Sequence, residues 1–386
     1  MNYPLASSTW DEAEYSAIQR VIQSGVFSMG REVATFESDF LKWVGSRYAV
    51  MVNSGSSANL LMVAALFFRE NAPFRRGDEV IVPAVSWSTT YSPLQQYGLH
   101  LKFVDVDRET LNFDIEQLAA AISDRTRAIM AVNLLGNPND FSAINSVIAD
   151  RDILLLEDNC ESMGAVFSDR QAGTHGVMGS FSSFFSHHIS TMEGGLIVTD
   201  DEELYHIMLC LRAHGWTRNL PTHNRVCGEK SASAFDESFR FVLPGYNLRP
   251  LEMSGAIGQE QLRKLPAMLA ARRENAQIFA DCFATHPWLQ TQKEIGQSSW
   301  FGFSLILSED APISRAELVE KLTVSGIDVR PIVAGNFAKN EVLKWFDYST
   351  HGVLNNAEYI DKNGFFVGNH HYSLSNQIMS LRKLVA

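Results

Sequence analysis

The chain has 386 residues, 46% of them hydrophobic and 20% charged, a composition that is typical of an ordinary globular enzyme and excludes a disordered or repeat protein. A chain of this length can bury a large core and is expected to form two lobes. The net charge of −12, without a basic stripe, argues against nucleic acid as a partner, although local arginines can still bind an anionic substrate.

The sequence lacks the usual signals for secretion, membrane insertion and metal binding. Its first eight residues contain neither the basic nor the apolar segment of a signal peptide. The longest apolar run, Leu60 to Phe68, is far shorter than the roughly 20 residues that a membrane span needs. The four cysteines form no CxxC pair, which argues against a zinc site or a disulfide framework. We therefore expect a cytoplasmic protein that binds no metal.

Helices and strands alternate along the first 250 residues. The spacing of Thr9 and Glu12 fits a capping box and predicts a helix that ends at Gly25, followed by a second helix over 32–44. Short apolar runs, most of them followed by a helix such as 202–213, predict strands at 48–53, 79–83, 101–105, 128–133, 153–158 and 196–200. This alternation predicts a mostly parallel sheet with helices on both faces and ligands at the carboxyl ends of its strands.

From residue 251 onward the pattern predicts a second, smaller α/β domain. A long helix is expected from Leu251 to about Thr285, with a kink at Pro266. The elements predicted after it are a strand at 300–307, a helix at 314–324, a strand at 327–333 and a closing helix that ends near 384. The predicted domains are therefore 1–250, with the large sheet, and 251–386, entered by the long helix.

Polar and aromatic residues follow three of the predicted strands. Gly55 and Ser56 lie where a strand enters a Gly/Ser turn and a helix N-terminus, which makes either an anion cradle or an ordinary helix cap. Trp87 follows the next strand and fits either stacking on a planar ring or packing in the core. Asp158 ends a buried strand, where a carboxylate can pair with a protonated pyridine nitrogen or cap the next turn.

A loop between two strands, within residues 179–195, carries the adjacent His187 and His188 and the turn Glu-Gly-Gly. Loops on a rigid scaffold commonly present chemistry. This segment resembles the cofactor-anchoring loop of the nucleotide-sugar aminotransferases that use pyridoxal phosphate. In that family a lysine six residues before the glutamate forms the Schiff base with the cofactor, and six residues before Glu193 is His187.

The resemblance covers essentially the whole chain and implies the aspartate aminotransferase-like fold, fold type I. The implied architecture is an α/β fold with a mostly parallel seven-stranded sheet and a smaller C-terminal α/β domain. A homodimer with an active site shared across its interface is also implied. The residues whose order and spacing imply cofactor binding are Gly55, Ser56, Trp87, Asp158 and Ser182, with Asn247 reaching the cofactor phosphate of the neighbouring subunit.

The same resemblance suggests which side chains face the substrate. The candidates are His214, Arg218 and Arg249 and, more weakly, Asp328 and Arg330. The polar stretch 215–240 is expected to shape a nucleotide-sugar pocket.

The family's lysine is replaced here, and the sequence contains no lysine at all between Lys102 and Lys230. An imidazole, with a reference pKa near 6.5, can take one proton and return it at neutral pH. We therefore expect dehydration rather than amine transfer, with non-covalently held pyridoxamine 5′-phosphate and His187 as acid and base.

The expected reaction removes the C3 hydroxyl of a nucleotide-linked 4-keto-6-deoxy sugar, releases ammonia, and uses L-glutamate to convert pyridoxal 5′-phosphate back to the amine form. The resemblance alone implies GDP-4-keto-6-deoxy-D-mannose as the substrate.

Other functions are open at this point. An iron–sulfur dehydrase of CDP-sugars would need clustered thiolates, of which only Cys210 and Cys227 lie in the relevant region. A metal hydrolase built on His187, His188 and Glu193 lacks a His-Glu-x-x-His helix. An aminotransferase-like protein of other specificity, a non-catalytic sensor of cofactor or sugar, and His188 as the base are further alternatives.

Overall fold

The computed structural model describes residues 2–386, which form two main β-sheets, two short two-stranded sheets (β6-β7 and β10-β11) and the helices that cover the main sheets. The helices are α1 Glu12–Ser24, α2 Arg31–Val44, α3 Gly55–Leu66, α4 Ser88–Gln96, α5 Ile115–Ala121, α6 Phe141–Ile148, α7 Glu202–Arg212, α8 Ala234–Glu237, α9 Glu252–Phe283, α10 Arg315–Val324, α11 Asn355–Asn363 and α12 Ser375–Leu384. The strands are β1 Tyr48–Val52, β2 Glu79–Pro83, β3 His100–Val104, β4 Thr126–Val132, β5 Leu154–Asp158, β6 Val166–Phe167, β7 Arg170–Gln171, β8 Met178–Ser182, β9 Gly195–Thr199, β10 His223–Asn224, β11 Gly228–Glu229, β12 Leu289–Thr291, β13 Gly302–Leu307, β14 Val329–Arg330, β15 Tyr348–Thr350 and β16 Gly364–Gly368.

The large sheet has the strand order β1-β9-β8-β5-β4-β2-β3-β15. Strand β9 runs antiparallel to both of its neighbours, and the other strands share one direction, so the expectation of a mostly parallel sheet is confirmed. The sheet has eight strands instead of the expected seven, because Tyr348–Thr350 pairs with the edge strand β3. The segment Tyr348–Thr350 is short and has no apolar run, so the sequence gives no signal for a strand there. It becomes a strand because it pairs with the edge of β3, which would otherwise be unpaired.

The core of the first lobe follows from strands that are apolar on both faces. Every residue of β2 is buried, and helix α3 is buried on nearly all sides beneath the sheet. The predicted helices and strands of this lobe are present with shifted ends. The cap of α1 was predicted wrongly: Asp11 and Glu14 form the capping box, whereas the Thr9 hydroxyl donates to Gln261, 2.6 Å away.

The second sheet is antiparallel, with the order β12-β13-β16-β14. The predicted strand 327–333 shrinks to Val329–Arg330, which pairs with β16 and is followed by Pro331, a residue without a backbone N–H to continue the ladder. Helix α9 runs through Pro266 as one element and connects the two sheets. The proposed division at residue 250 therefore separates the two sheets, except that β15 crosses it. No helix within residues 2–386 has both the length and the apolar character for a membrane crossing.

The start of α9 is joined to the start of α2 by a carboxylate. Helix α2 begins after Gly30, which has no side chain to cap it. The buried Glu252 carboxylate accepts from the backbone N–H groups of Gly30 and Glu32, both at 2.6 Å, and of Val33 at 3.3 Å. Three backbone donors that lack an intrahelical partner are thereby satisfied across the interface of the two helices.

We predict that Glu252→Ala lowers the free energy of unfolding by about 2–3 kcal/mol, because it leaves buried backbone donors without an acceptor. Urea denaturation of the apoprotein measures the change. Asp39→Ala is the control: its pair with Lys42 (2.9 Å) is exposed, and its loss is expected to cost less than about 1 kcal/mol. Equal losses in the two variants would contradict the capping role.

Candidate active site

A cavity of about 340 Å³ lies at the carboxyl ends of the parallel strands, where the first lobe meets the second. The residues that follow β1, β2, β4, β5 and β8 form its floor, and Phe301 and Val333 of the second lobe close one side. Six of the residues predicted from the sequence line it: Gly55, Ser56, Trp87, Asp158, Ser182 and His187. This is the edge of the sheet at which α/β folds bind ligands.

One end of the cavity is the N-terminus of α3, surrounded by hydroxyl groups. The Ser54 side chain accepts from the Ser57 N–H (3.1 Å) and so caps the helix. Gly55 is packed so closely that a Cβ there would lie 2.7 Å from the Cβ of Ser182. The Ser182 and Ser56 hydroxyls and the first N–H groups of the helix are thus gathered at one point, which suits a phosphate group.

The Asp158 carboxylate lies in the floor of the cavity, buried and oriented by three donors. Asn59 Nδ2 and Thr90 Oγ1 each donate to Oδ2 at 2.7 Å, and the Cys160 N–H donates to Oδ1 at 3.2 Å. Asn59 is itself fixed, because Ser180 Oγ donates to its Oδ1 at 2.6 Å. A carboxylate held in this way can pair with a protonated ring nitrogen. The sequence analysis did not identify Asn59 and Thr90. Their side chains reach Asp158 because of the way helices α3 and α4 pack at the floor of the cavity.

Trp87 forms a wall of the cavity with an exposed indole. Its side chain is 57% exposed, so the alternative of a core tryptophan is wrong. It precedes α4 and lies beside Thr89, with the cavity in front of it. An exposed planar side chain in a concave site is suited to stacking on an aromatic ligand.

His187 lies on the loop between β8 and β9, and its ring faces the cavity. The ring packs against Phe184 (centroids 6.0 Å apart) and Phe301 (5.2 Å). Its Nδ1 is buried and has no hydrogen-bond partner among residues 2–386. Burial, followed by the positive charge of Arg272, lowers the pKa of His187 to about 4, so the imidazole is neutral at physiological pH.

His188 does not line the cavity. Its Nε2 donates to the carbonyl oxygen of Ser299 (3.1 Å), and the side chain is buried outside the cavity lining. The His188 ring also packs against Phe301 (centroids 5.9 Å apart), and no cluster of three metal-ligating side chains forms within residues 2–386. This placement argues against both the metal hydrolase and His188 as the base.

Glu161 is a cavity residue that the sequence analysis did not single out. One of its carboxylate oxygens accepts from the Leu135 N–H at 3.0 Å. Burial, with a smaller contribution from the charge of Asp158, raises the pKa of Glu161 to about 7. The sequence signal that could have identified Glu161 is its position three residues after Asp158. The two side chains line one cavity only because the chain turns after β5.

Six predicted site residues do not line the cavity of the single chain. Arg218 lies over the Trp216 ring (3.8 Å), and Asn247 accepts from Arg249 Nε (2.9 Å). His214 is exposed in the same irregular segment. Asp328 and Arg330 are both exposed on the second lobe, where Asp328 accepts from the Leu5 N–H and Arg330 donates to the carbonyl of Val329.

The chain belongs to the DegT/DnrJ/EryC1/StrS aminotransferase family, whose profile matches residues 8–376. It is 64% identical over 382 residues to the GDP-4-keto-6-deoxy-D-mannose 3-dehydratase of Yersinia pseudotuberculosis, covering 99% of this chain and 97% of that protein. The structure of the Escherichia coli GDP-4-keto-6-deoxy-D-mannose-3-dehydratase with bound hydrated PLP matches with a TM-score of 0.99, 63% identity and complete coverage of both chains. A structure of GDP-4-keto-6-deoxymannose-3-dehydratase with a trapped PLP-glutamate geminal diamine matches with the same TM-score, identity and coverage.

We predict that Thr90→Val weakens binding of pyridoxal 5′-phosphate about tenfold, because Asp158 loses a donor that orients it, and a hydrogen bond to a charged group contributes about 1.5–3 kcal/mol. Cofactor titration followed by absorbance measures the dissociation constant. Thr90→Ser keeps the hydroxyl and is the matched control, expected to bind within about threefold of wild type. If both variants bind alike, the network does not orient Asp158.

Proposed function

We propose that this chain is a pyridoxal/pyridoxamine phosphate-dependent 3-dehydratase of GDP-4-keto-6-deoxy-D-mannose, which yields the 4-keto-3,6-dideoxy sugar. The observation that carries the proposal is His187 in the cavity, where family members place a lysine. Among the described residues that line the cavity there is no lysine. The close likeness of the whole chain to proteins with this activity supports the same conclusion.

The cavity fits pyridoxamine phosphate by its chemistry. The N-terminus of α3 with Ser56 and Ser182 binds the phosphate, Asp158 pairs with the ring nitrogen, and Trp87 covers one face of the ring. The bound cofactor supplies an amine that condenses with the 4-keto group and a ring that withdraws electrons. Since no amine of the cavity can bond to it covalently, its retention depends on these contacts alone.

His187 is the acid and base of the deoxygenation. With Nδ1 buried, Nε2 is the nitrogen that exchanges a proton with the reactants. A pKa of about 4 keeps the imidazole neutral and able to accept a proton, and makes the imidazolium an acid strong enough to donate to the departing C3 hydroxyl. Phe184 and Phe301 pack against the ring and exclude water from the proton being transferred.

The residues outside the single-chain cavity serve the substrate and a homodimer. Asn247 reaches the cofactor phosphate of the neighbouring subunit. The side chains that face the substrate are His214, Arg218 and Arg249 and, more weakly, Asp328 and Arg330. Three apolar side chains are exposed near the Ser28–Leu251 bridge, which joins their segments: Val26, Phe27 and Leu251. Such an exposed apolar group supports an interface at this place. The enzyme acts in the cytoplasm, and its product leads to colitose of the lipopolysaccharide O-antigen.

The direct test of activity is ammonia release from GDP-4-keto-6-deoxy-D-mannose in the presence of pyridoxamine phosphate and glutamate, compared with the corresponding CDP-linked sugar. Turnover of the GDP-sugar is expected. An aminated sugar as the sole product would instead indicate an aminotransferase, and no change in the cofactor's absorbance on adding glutamate would indicate a sensor.

We predict that His187→Asn keeps the fold and binds the cofactor but lowers the rate of C3 deoxygenation by at least about 100-fold, since general acid–base groups contribute about 10²–10⁴-fold. Ammonia release measures the rate. His188→Asn is the control: it loses the bond to Ser299 and some stability but keeps the base, so measurable turnover is expected. Undiminished deoxygenation in His187→Asn would refute the assignment.

We predict that borohydride leaves no cofactor bonded to the wild-type polypeptide, because the cavity offers no amine to be reduced onto the ring. Mass spectrometry of the denatured chain after reduction is the measurement. His187→Lys restores an amine at this position and is the positive control, with a gain of one cofactor mass. A cofactor adduct on the wild-type chain would contradict a non-covalent site.

A further inference from the structure

Arg272 is a buried cation whose role the function proposed above does not explain. Only 4% of it is exposed, and it has no carboxylate partner among residues 2–386. Its Nη1 lies within hydrogen-bond distance of the carbonyl oxygens of Trp300 (3.3 Å), Phe301 (3.2 Å) and Asn369 (2.8 Å). Burial without a counter-ion is costly enough to lower the pKa of Arg272 to about 10, so its retention calls for a role in the fold or in the site.

The backbone bound by Arg272 is the segment that supports both histidines. The Ser299 carbonyl accepts from His188 Nε2, and the Phe301 ring packs against His187. Trp300 between them has φ +50, a left-handed conformation that is strained for a bulky side chain. Asn369 Nδ2 also donates to the Trp300 carbonyl (2.9 Å), so this strained turn is fixed from the second lobe by two side chains.

The opposite side of the same segment is bound to the floor of the cavity. The Ser299 N–H donates to the Gly136 carbonyl (2.9 Å), and the Phe301 N–H donates to the Leu135 carbonyl (3.0 Å). Leu135 in turn donates to Glu161, which lines the cavity. Segment 299–301 is therefore held between Arg272 and the turn that supports Glu161, and any shift of it moves the wall against which His187 lies.

We propose that Arg272 is a positioning residue for the base: it fixes segment 299–301 behind His187 and places an uncompensated positive charge on that side of the imidazole. The proposal rests on the proposed function of His187 and extends it to a residue that touches neither cofactor nor substrate.

The positive charge of Arg272 disfavours protonation of the His187 imidazole, whereas acidic groups elsewhere around the imidazole favour it. Asp158, Glu161 and Glu193 share the cavity with His187, as does the Cys160 thiol, and each of them favours the imidazolium when ionised. His188, the neighbour on the loop, is held neutral by its own burial. Burial and, after it, the charge of Arg272 lower the pKa of His187, so His187 begins each cycle without a proton and its protonated form gives the proton up readily.

The first test needs no substitution. In the apoenzyme with ¹³C-labelled histidine, the His187 signal is assigned by its loss in His187→Asn, and its titration is followed by NMR. The expected midpoint is near pH 4. A midpoint at or above the ordinary value of about 6.5 overturns the proposal. Because this readout needs no turnover, failure of the wild-type enzyme to release ammonia would reject the proposed function without deciding the role of Arg272.

The second test separates the charge from the hydrogen bonds. Arg272→Met is expected to raise the His187 midpoint by about one pH unit or more, because it removes the cation, and to move the acid limb of kcat/KM upward by a similar amount. Arg272→Lys keeps the charge, but its side chain is one atom shorter and does not place its nitrogen at the position of Nη1, where the three carbonyl oxygens meet. We therefore expect an unchanged midpoint and a kcat about tenfold lower from a displaced wall.

Arg273→Met is the matched control on the same helix. Arg273 also donates to carbonyl groups of neighbouring segments, Ser298 at 3.1 Å and Gly164 at 2.8 Å, but its charge is not among the influences on His187. We expect it to leave both the midpoint and the acid limb in place. Equal shifts in Arg272→Met and Arg273→Met overturn the proposal. If Arg272→Met does not fold, Arg272→Lys decides, since wild-type kcat in that variant is incompatible with the positioning role.

Discussion

A cofactor that is not bonded to the protein must be held by contacts alone, and this constraint accounts for the arrangement of the site. Family relatives can rely on a lysine, whereas here the cavity contains an imidazole at that position. In the proposed binding mode the contacts come from the helix N-terminus of α3, the hydroxyls of Ser56 and Ser182, and the buried carboxylate of Asp158. Each of these groups is fixed by further hydrogen bonds, and an oriented group loses less entropy when the ligand binds.

The same substitution sets the acid–base chemistry. A lysine amine would be protonated at neutral pH unless it were bonded to the cofactor, whereas the buried imidazole of His187 is neutral and ready to accept a proton. Its surroundings are apolar on two sides and positively charged on a third. The site thus combines a weak base with a strong conjugate acid, which a reaction that first removes and then returns a proton requires.

Helix α9 links the two lobes to this chemistry. Its first residue, Glu252, caps α2, and Arg272 near its middle binds the segment that supports both histidines. The strained turn at Trp300 can persist only because these contacts hold it. Rigid connection of the lobes therefore serves the position of the base as well as the stability of the fold.

The sequence by itself determined the alternating α/β architecture, the long helix α9, and six of the residues that line the cavity. It could do so because apolar periodicity marks elements, and because residues after parallel strands meet at one edge of the sheet. It misplaced the cap of α1 and the strand over 327–333, and it missed β15, since short polar segments take their structure from the edges they meet.

The tertiary structure alone decided that Asn59 and Thr90 orient Asp158, that Glu161 shares the cavity with it, and that Arg272 lies behind His187. These relations join residues up to 99 positions apart, such as Asn59 and Asp158, and contacts of that kind arise from packing, which no local pattern encodes.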